Sequence, residues 1–223
     1  WRSAVGEGMF LKGIHMQIVH PDIEAYMGEL LPQRHPVLLE MEQEAREQDF
    51  PIIGPLVGNH LAQLARMTGA RRIMELGSGF GYSALWFAQA LDDDGEIICT
   101  DGSASNRTRA EAAFAEVGVR PRISFHTGDA LQLFNGIEGT FDLIFCDIDK
   151  HEYPEAYRMS VPRLRRGGIL VFDNALWYGR MLEGNSDAST KGVAELNRIA
   201  FQDDRVHAGL VPIRDGLLVC RVR

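Results

Sequence analysis

The sequence contains few cysteines and no long apolar run. Its three cysteines, Cys99, Cys146 and Cys220, each lie in an apolar, strand-like segment, and none forms a Cys-x-x-Cys pair. We therefore expect reduced core residues and a cytoplasmic location. No stretch approaches the roughly 18 uninterrupted apolar residues of a membrane helix, so we expect no membrane partner.

Positive charge and metal-binding histidine patterns are also scarce. Acidic residues outnumber basic ones by 31 to 23, which gives a net charge of −8. Such a surface repels phosphate backbones, so we expect a small-molecule partner and no nucleic acid. The seven histidines show neither His-x-His nor His-Glu-x-x-His spacing, which disfavours a zinc site.

The 223 residues contain 45% hydrophobic and 24% charged residues, as in an ordinary folded domain. We expect one domain over 20–223, with 20–50 as a helical segment that contributes little to the core. Residues 1–19 are expected to be a flexible arm or the remnant of an expression tag, since they carry no secretory signal pattern.

Short apolar runs alternate with longer amphipathic ones, which predicts an α/β fold with a mostly parallel sheet covered on both faces. The predicted strands are 72–76, 96–100, 122–126, 141–147, 168–172, 206–213 and 216–222. The predicted helices between them are 82–91, 104–117, 152–164 and 190–202. The last two strands are separated by too few residues for a crossover, so they should form an antiparallel hairpin. The run 163–168 is interpreted as a helix end with dipole-favoured cations.

A glycine-rich turn follows the first predicted strand, in a position where open α/β sheets bind ligands. Its alternate glycines, Gly77, Gly79 and Gly81, let backbone amides approach a ligand, and Tyr82 and Ser83 open the next helix.

Acidic residues around this turn indicate which ligand it binds. Asp101 ends the second strand and is placed to bind a ribose diol, which predicts an adenosyl ligand. The third glycine comes one residue too early for a dinucleotide fingerprint. Glu75 before the turn suits an ammonium group and would repel a pyrophosphate, which favours S-adenosylmethionine. Asp129 and Ala130 follow the third strand and could meet the adenine amine, although a turn or helix N-cap explains them equally well.

A second group of polar residues follows two further strands. Asp147, Asp173 and Asn174 lie at strand ends on the same sheet edge, and their oxygens suit a hard divalent cation such as Mg²⁺, with Mn²⁺ or Ca²⁺ as alternatives. Lys150 lies three residues after Asp147, where a cation would lower its pKa and make it a general base. The structural alternative for Lys150 is an ion pair with Asp149 or Glu152.

The ordered motifs E-L-G-S-G-F-G-Y-S, G-D-A, D-I-D-K and F-D-N-A-L-W, with Asp101 between the first two, resemble the cation-dependent class I O-methyltransferases. That family includes the catechol and caffeoyl-CoA O-methyltransferases. The resemblance covers about residues 20–223 and implies a seven-stranded Rossmann-like sheet with an antiparallel last strand.

Specific residue roles follow from the resemblance. It implies Asp147, Asp173 and Asn174 as metal ligands and Lys150 as the catalytic base. The residues that fall where the family contacts the cofactor are Glu75, Gly77, Gly79, Gly81, Tyr82, Ser83, Asp101, Asp129, Ala130, Asp147, Ile53 and Gly54.

The acceptor side is less fully defined by the resemblance. The segment after Asn174 carries Trp177, Tyr178 and Arg180, which together with Lys150 could contact an aromatic substrate, although core packing or a subunit contact would explain these three residues equally well. Gly209 is the nearest match to a glutamate that contacts substrate in catechol enzymes, so their regioselectivity is not expected here. Relatives are often dimers through their N-terminal helices, which implies a homodimer through 20–50.

The sequence therefore predicts transfer of a methyl group from S-adenosylmethionine to one hydroxyl of a vicinal dihydroxy aromatic, phenolic small molecule. The alternatives are a nicotinamide-dependent oxidoreductase, a metal-dependent hydrolase and a non-catalytic module that binds an adenosyl ligand. Absence of the third spaced glycine disfavours the oxidoreductase, and Lys150 beside both sites disfavours a mere binder.

Overall fold

Seven strands form one mixed sheet in the computed structural model, which describes residues 16–119, 122–182 and 187–223. In chain order the strands are β1 (Arg72–Leu76), β2 (Glu96–Asp101), β3 (Ile123–Thr127), β4 (Phe141–Cys146), β5 (Leu164–Phe172), β6 (Val206–Val211) and β7 (Leu217–Val222). Their spatial order is β3-β2-β1-β4-β5-β7-β6. The first five strands pair in parallel, and β7 is antiparallel to both β5 and β6, so the predicted sheet and terminal hairpin are confirmed.

Eight α-helices of the described residues surround this sheet. They are α1 (Pro21–Glu29), α2 (Pro36–Glu47), α3 (Gly54–Thr68), α4 (Tyr82–Ala88), α5 (Ala104–Val117), α6 (Ala130–Gly136), α7 (Tyr153–Ser160) and α8 (Ala188–Gln202). Short 3₁₀ segments cover Lys150–Glu152, Val161–Arg163 and Trp177–Leu182. None of the described helices is long and apolar enough to cross a bilayer.

Alternation along each strand divides the core into one layer on each face of the sheet. In β1, Ile73 packs into the layer formed with α2–α5, and Met74 packs into the layer formed with α6–α8. Both side chains are fully buried. This burial on both faces is what a parallel sheet requires, and it fixes the sheet edge at which the strand ends meet.

Within the run 163–168, Arg163 ends a 3₁₀ segment, whereas residues 164–168 are extended, so the interpretation of the whole run as a helix end was wrong. The α7 helix ends at Ser160, and β5 begins at Leu164, four residues before the predicted strand. The Asp142 carboxylate explains the difference, because it forms an ion pair with Arg165 and accepts the backbone N–H groups of Arg71 and Arg72. Pairing across strands therefore outweighs the local Arg-Gly pattern.

The two N-terminal helices differ in how much of their surface is buried. No residue of α1 is buried, as expected for a segment that contributes little to the core. The α2 helix buries Val37, Leu38, Met41, Glu42 and Ala45, so the thin core expected over 20–50 is found in α1 alone. The arm predicted over 1–19 lies, for residues 1–15, outside the described residues.

Candidate active site

The carboxyl ends of the parallel strands surround a cavity of about 630 Å³. It lies where β1 and β4 adjoin and the strand order reverses, which is the ligand position in open α/β sheets. The predicted site residues that line it are Ile53, Gly77, Gly79, Tyr82, Ser83, Asp101, Asp129, Ala130, Asp147, Lys150, Asp173, Asn174, Trp177 and Tyr178. The two predicted sites are thus parts of one cavity. Glu75, Gly81 and Gly54 do not line it.

At two positions of the β1–α4 turn, neighbouring atoms lie so close to the backbone that only glycine fits. Gly77 has φ +84° and passes so near the Asp147 carbonyl that a Cβ atom would lie closer than 3.0 Å to it. Gly81 has φ +90°, and a Cβ atom there would lie 2.7 Å from the Phe114 ring. Glycine at 77 therefore lets the β1–α4 turn lie directly against the backbone at the end of β4, whereas glycine at 81 lets the turn pack on α5.

Asp101 holds the glycine turn in place from the end of β2. Its Oδ2 accepts the Gly79 N–H at 3.1 Å. Its Oδ1 accepts the Ser103 N–H at 2.8 Å and the Asn106 Nδ2 at 3.0 Å. Because a carboxylate has about four acceptor positions, Asp101 can still receive a hydrogen bond from a ligand.

Glu75 lies under the turn with no exposed surface. Neither carboxylate oxygen has a hydrogen bond of good geometry among the described residues. Burial raises the pKa of Glu75 to about 7, although the nearby Ser78 and Ser83 hydroxyls oppose that rise. An acid in this state would be stabilised in its charged form by a cationic ligand group above the turn.

Tyr82 begins α4 and anchors it to α2. Its hydroxyl donates to Glu42 Oε1 at 2.7 Å, and Arg34 Nε lies 3.1 Å from the same oxygen. Tyr82 and Glu42 are both buried. The side chain of Tyr82 is thus used structurally, while its position at the helix start keeps the backbone beside the cavity.

Asp129 is the N-cap of α6. Its Oδ1 accepts the Gln132 N–H at 2.8 Å, so the N-cap interpretation of this aspartate is confirmed. Since Asp129 and Ala130 also line the cavity, the cap leaves the second carboxylate oxygen for a ligand.

Lys150 forms its ion pair with Asp147 and not with Asp149 or Glu152. Its Nζ lies 2.7 Å from Asp147 Oδ1 and also donates to the Ile148 carbonyl at 3.1 Å. The ammonium lies 5.2 Å from the centre of the Tyr153 ring. These contacts hold the amine in the cavity wall.

Asp173 is almost fully buried, and its Oδ1 has no hydrogen-bond partner among the described residues. Burial, together with the charges of Asp147 and Asp215, raises the pKa of Asp173 to about 8. The Tyr153 hydroxyl donates to the Asp173 carbonyl at 3.0 Å and fixes its backbone. A buried carboxylate beside other acids and without a partner is costly unless a cation joins it.

Asn174 is held by Asp215, a residue that the sequence analysis did not identify. Asn174 has φ +55°, and its Nδ2 donates to Asp215 Oδ2 at 2.8 Å, which leaves the amide oxygen as the free acceptor. Among the described residues there is no cluster of three His, Cys, Asp or Glu side chains arranged for a metal. The metal ligands predicted from the sequence, Asp147, Asp173 and Asn174, would instead provide two carboxylates and one amide oxygen.

Aromatic residues after β5 form another side of the cavity. The Trp177 Nε1 donates to Thr190 Oγ1 at 3.1 Å, and the Arg180 guanidinium lies 5.3 Å from the Trp177 ring centre. Trp177 and Tyr178 both have positive φ angles, 43° and 51°. From the β6–β7 hairpin, Arg214 lines the cavity. Gly209 lies in β6 opposite Val219 and does not line it.

A sequence profile of the family described as O-methyltransferase matches residues 30–223. The chain belongs to the O-methyltransferase family. A putative O-methyltransferase of Mycolicibacterium smegmatis is 34% identical over 169 residues, 74% of this chain and 80% of the relative. Caffeoyl-CoA O-methyltransferase 1 of Eucalyptus globulus is 32% identical and covers 74% of this chain and 72% of its own length.

Solved structures of O-methyltransferases have the same architecture. TomG from Streptomyces achromogenes, solved in complex with S-adenosylmethionine and involved in tomaymycin synthesis, is 29% identical, with a TM-score of 0.83 over 90% of this chain and 96% of TomG. A putative O-methyltransferase from Klebsiella pneumoniae is 28% identical, with a TM-score of 0.83 over 91% of this chain and 96% of its own. The protein is an S-adenosylmethionine-dependent O-methyltransferase, which excludes the oxidoreductase, hydrolase and non-catalytic alternatives.

Proposed function

We propose that this O-methyltransferase requires a divalent cation and methylates one hydroxyl of a vicinal dihydroxy aromatic compound. The observation that carries the proposal is Asp173, whose buried Oδ1 has no partner and whose neighbours include the acids Asp147 and Asp215. A cation would compensate this concentration of negative charge, and the two oxygens of a catechol-type acceptor could complete its ligand shell.

The part of the cavity next to the β1–α4 turn is proposed to hold S-adenosylmethionine. Asp101 would accept hydrogen bonds from the ribose, and Asp129 with Ala130 would meet the adenine. Glu75 would act from below the turn, where its buried carboxylate favours the cofactor ammonium through the electrostatic field. The remaining proposed contacts are Ile53, Gly54, Gly77, Gly79, Gly81, Tyr82, Ser83 and Asp147.

Asp147, Asp173 and Asn174 are proposed to hold the cation. Two carboxylates and one amide oxygen are hard ligands that suit Mg²⁺, and equally Mn²⁺ or Ca²⁺. Asp215 supports the set, since it fixes which end of the Asn174 amide is the acceptor. When bound, the cation lowers the pKa of a coordinated hydroxyl and stabilises the resulting oxyanion.

Lys150 is proposed to accept the proton of the hydroxyl that is methylated. For this its Nζ must be the neutral amine, whose two N–H groups can keep the hydrogen bonds to Asp147 Oδ1 and the Ile148 carbonyl while its lone pair accepts the proton. Bound S-adenosylmethionine would supply the methyl group to the deprotonated acceptor oxygen, and S-adenosylhomocysteine would be the leaving product. Most of the protein's contribution would be orientation of the two substrates.

The aromatic ring of the acceptor is proposed to lie against Trp177 and Tyr178. Both residues line the cavity beside Lys150, whose Nζ lies 5.9 Å from the Trp177 ring centre. The similarity to the Eucalyptus caffeoyl-CoA O-methyltransferase supports a phenolic acceptor of this kind.

We also propose that residues 20–223 form one domain and that two chains associate through 20–50. The support is α1, which exposes Ile23, Tyr26 and, at its end, Leu30. The molar mass in solution, measured by sedimentation or light scattering, tests the dimer. A cytoplasmic location remains a prediction from the reduced cysteines.

The decisive experiment measures transfer of labelled methyl from S-adenosylmethionine to a panel of catechols and caffeoyl esters, with Mg²⁺ and with excess chelator. We expect transfer that the chelator abolishes and Mg²⁺ restores. Asp147→Asn and Asp173→Asn should remove the metal-dependent transfer, whereas Asp204→Asn, at an exposed aspartate outside the cavity, serves as the matched control.

Methylation that resists the chelator, with the same rate in Asp173→Asn, would contradict the cation site and leave the methyltransferase activity intact. Binding of S-adenosylhomocysteine to each variant, measured by calorimetry, provides the check that the cofactor half of the cavity is still folded.

A further inference from the structure

Arg214 occupies a strained backbone position in the β6–β7 turn. Its φ is +52°, a conformation that costs free energy for a residue with a side chain and that glycine adopts freely. The turn itself therefore does not call for arginine. Strain of this kind, found at a cavity wall, points to a function of the side chain.

The Arg214 side chain is held in place without an acidic partner. Its Nη1 donates to the Ile52 carbonyl at 2.6 Å, and the side chain passes over Gly54, where a Cβ atom would lie 3.7 Å from Nη1 and 3.8 Å from Cδ. None of the ion pairs among the described residues involves Arg214. A guanidinium has five N–H donors, so most of its donor capacity is unused.

The guanidinium stands between two cavities. Arg214 and Ile52 line both the catalytic cavity and a second cavity of about 490 Å³. The other residues of the second cavity come from α1 and α3, namely Pro21, Glu24, Ala25, Gly28, Gly54, Pro55 and Leu56. An acceptor bound in the first cavity could thus extend past Arg214 into the second.

Arg214 also differs from the other charged groups that line the catalytic cavity. The acidic ones are Asp101, Asp129, Asp147, Asp149, Glu152 and Asp173. The other lining cation in the described chain is Lys150, which is paired with Asp147. Arg214 is therefore the lining cation that can accept an anionic group without breaking an existing ion pair.

We propose that Arg214 determines acceptor specificity by binding a carboxylate carried by the aromatic substrate. The inference rests on the proposed function and narrows its substrate class to dihydroxy-aromatic carboxylic acids. Arginine binds carboxylates through two parallel hydrogen bonds, which fixes both the position and the orientation of the acid.

The competing explanation is structural, since the charge of Arg214 also stabilises the ionised forms of Asp173 and Asp215 and so acts to lower their pKa values. A purely structural arginine would affect charged and neutral acceptors alike. The two roles are therefore separated by the ratio of affinities for an acid and its neutral analogue.

The test compares equilibrium binding of 3,4-dihydroxybenzoate, 3,4-dihydroxyphenylacetate and caffeate with binding of their primary amides, in the presence of S-adenosylhomocysteine and Mg²⁺. We expect the protein to bind at least one acid about 10- to 100-fold more tightly than its amide, the range for a charge-assisted hydrogen bond. Arg214→Gly, which suits the positive φ, should bring that ratio close to one, and Arg214→Lys should leave part of it.

Arg166→Ala is the matched control, because Arg166 is exposed at the opposite end of β5 and its loss removes the same charge. Its acid-to-amide ratio should equal that of the wild type. Thermal unfolding of each variant reports its stability separately.

An unchanged ratio in Arg214→Gly would overturn the inference, as would equal losses for acid and amide or a wild-type protein that does not prefer any acid. The binding ratio does not depend on turnover. Methylation that resists a chelator would therefore overturn the proposed function while the ratio still decides the role of Arg214.

Discussion

Glu75 makes the stability of the protein without its cofactor depend on pH. The carboxyl is fully buried, and burial raises its pKa from 4.5 to about 7. Between these two values the folded protein binds a proton that the unfolded chain has released. The free energy of unfolding must then decrease as the pH rises through this interval.

The size of the effect follows from the shift. One pKa unit corresponds to about 1.36 kcal/mol, so the interval from 4.5 to about 7 gives a loss of about 3 kcal/mol by pH 8. Glu75→Gln keeps the shape of the side chain and removes its titration. Relative to the wild type, the variant should gain about 3 kcal/mol between pH 4.5 and pH 8.

Urea unfolding of wild type and Glu75→Gln, measured without cofactor from pH 4.5 to pH 8.5, tests this expectation. The difference between the two curves isolates Glu75 from other titrating groups such as Asp173. A difference that stays constant over the whole pH range would refute the reasoning, because it would mean that Glu75 has the same pKa in the folded and unfolded states.

Other consequences concern cofactor binding, packing and one buried hydrogen bond. In the wild type, affinity for S-adenosylhomocysteine should increase from pH 6 to pH 8, because the ammonium group of this ligand favours ionised Glu75. In Glu75→Gln, the affinity measured by calorimetry should not change with pH over this range. Gly58→Ala should cost about 1–3 kcal/mol in urea unfolding, because a Cβ atom would lie closer than 3.0 Å to the Trp86 ring; Gly136→Ala, with open space around it, is the control. Tyr82→Phe should cost about 1–3 kcal/mol by removing the donor to buried Glu42, and an unchanged unfolding midpoint would contradict this.

The sequence was sufficient for the parts of the fold that depend on local pattern. Alternation of strands and helices, the glycine turn and the short terminal connection predicted the sheet and its antiparallel last strand. The start of β5 was missed because it depends on Asp142, a residue 23 positions from its partner Arg165. Contacts across the sheet of this kind leave no local trace in the sequence.

In the candidate site, too, the residues that follow from local sequence pattern were predicted, and those that depend on distant contacts were not. Strand ends identified Asp101, Asp147 and Asp173, since parallel strands finish at one edge. Asp215 and Arg214 fall in the short connection between the last two predicted strands, where the sequence indicates only a turn. Their roles depend on where the hairpin meets the cavity, and a positive φ at Arg214 becomes visible only in the structure.

Three buried acidic groups lie in or directly behind the cavity wall. The pKa values of Glu75, Asp173 and Asp215 are all raised, in each case mainly by burial. Each group is more stable when a positive charge approaches it, whether the cofactor ammonium or the proposed cation. Ligands that bind only the folded state stabilise it by mass action. The cost of burying these acids in the free enzyme is thus reduced on binding, so the ligand-free protein should be the least stable form at neutral pH.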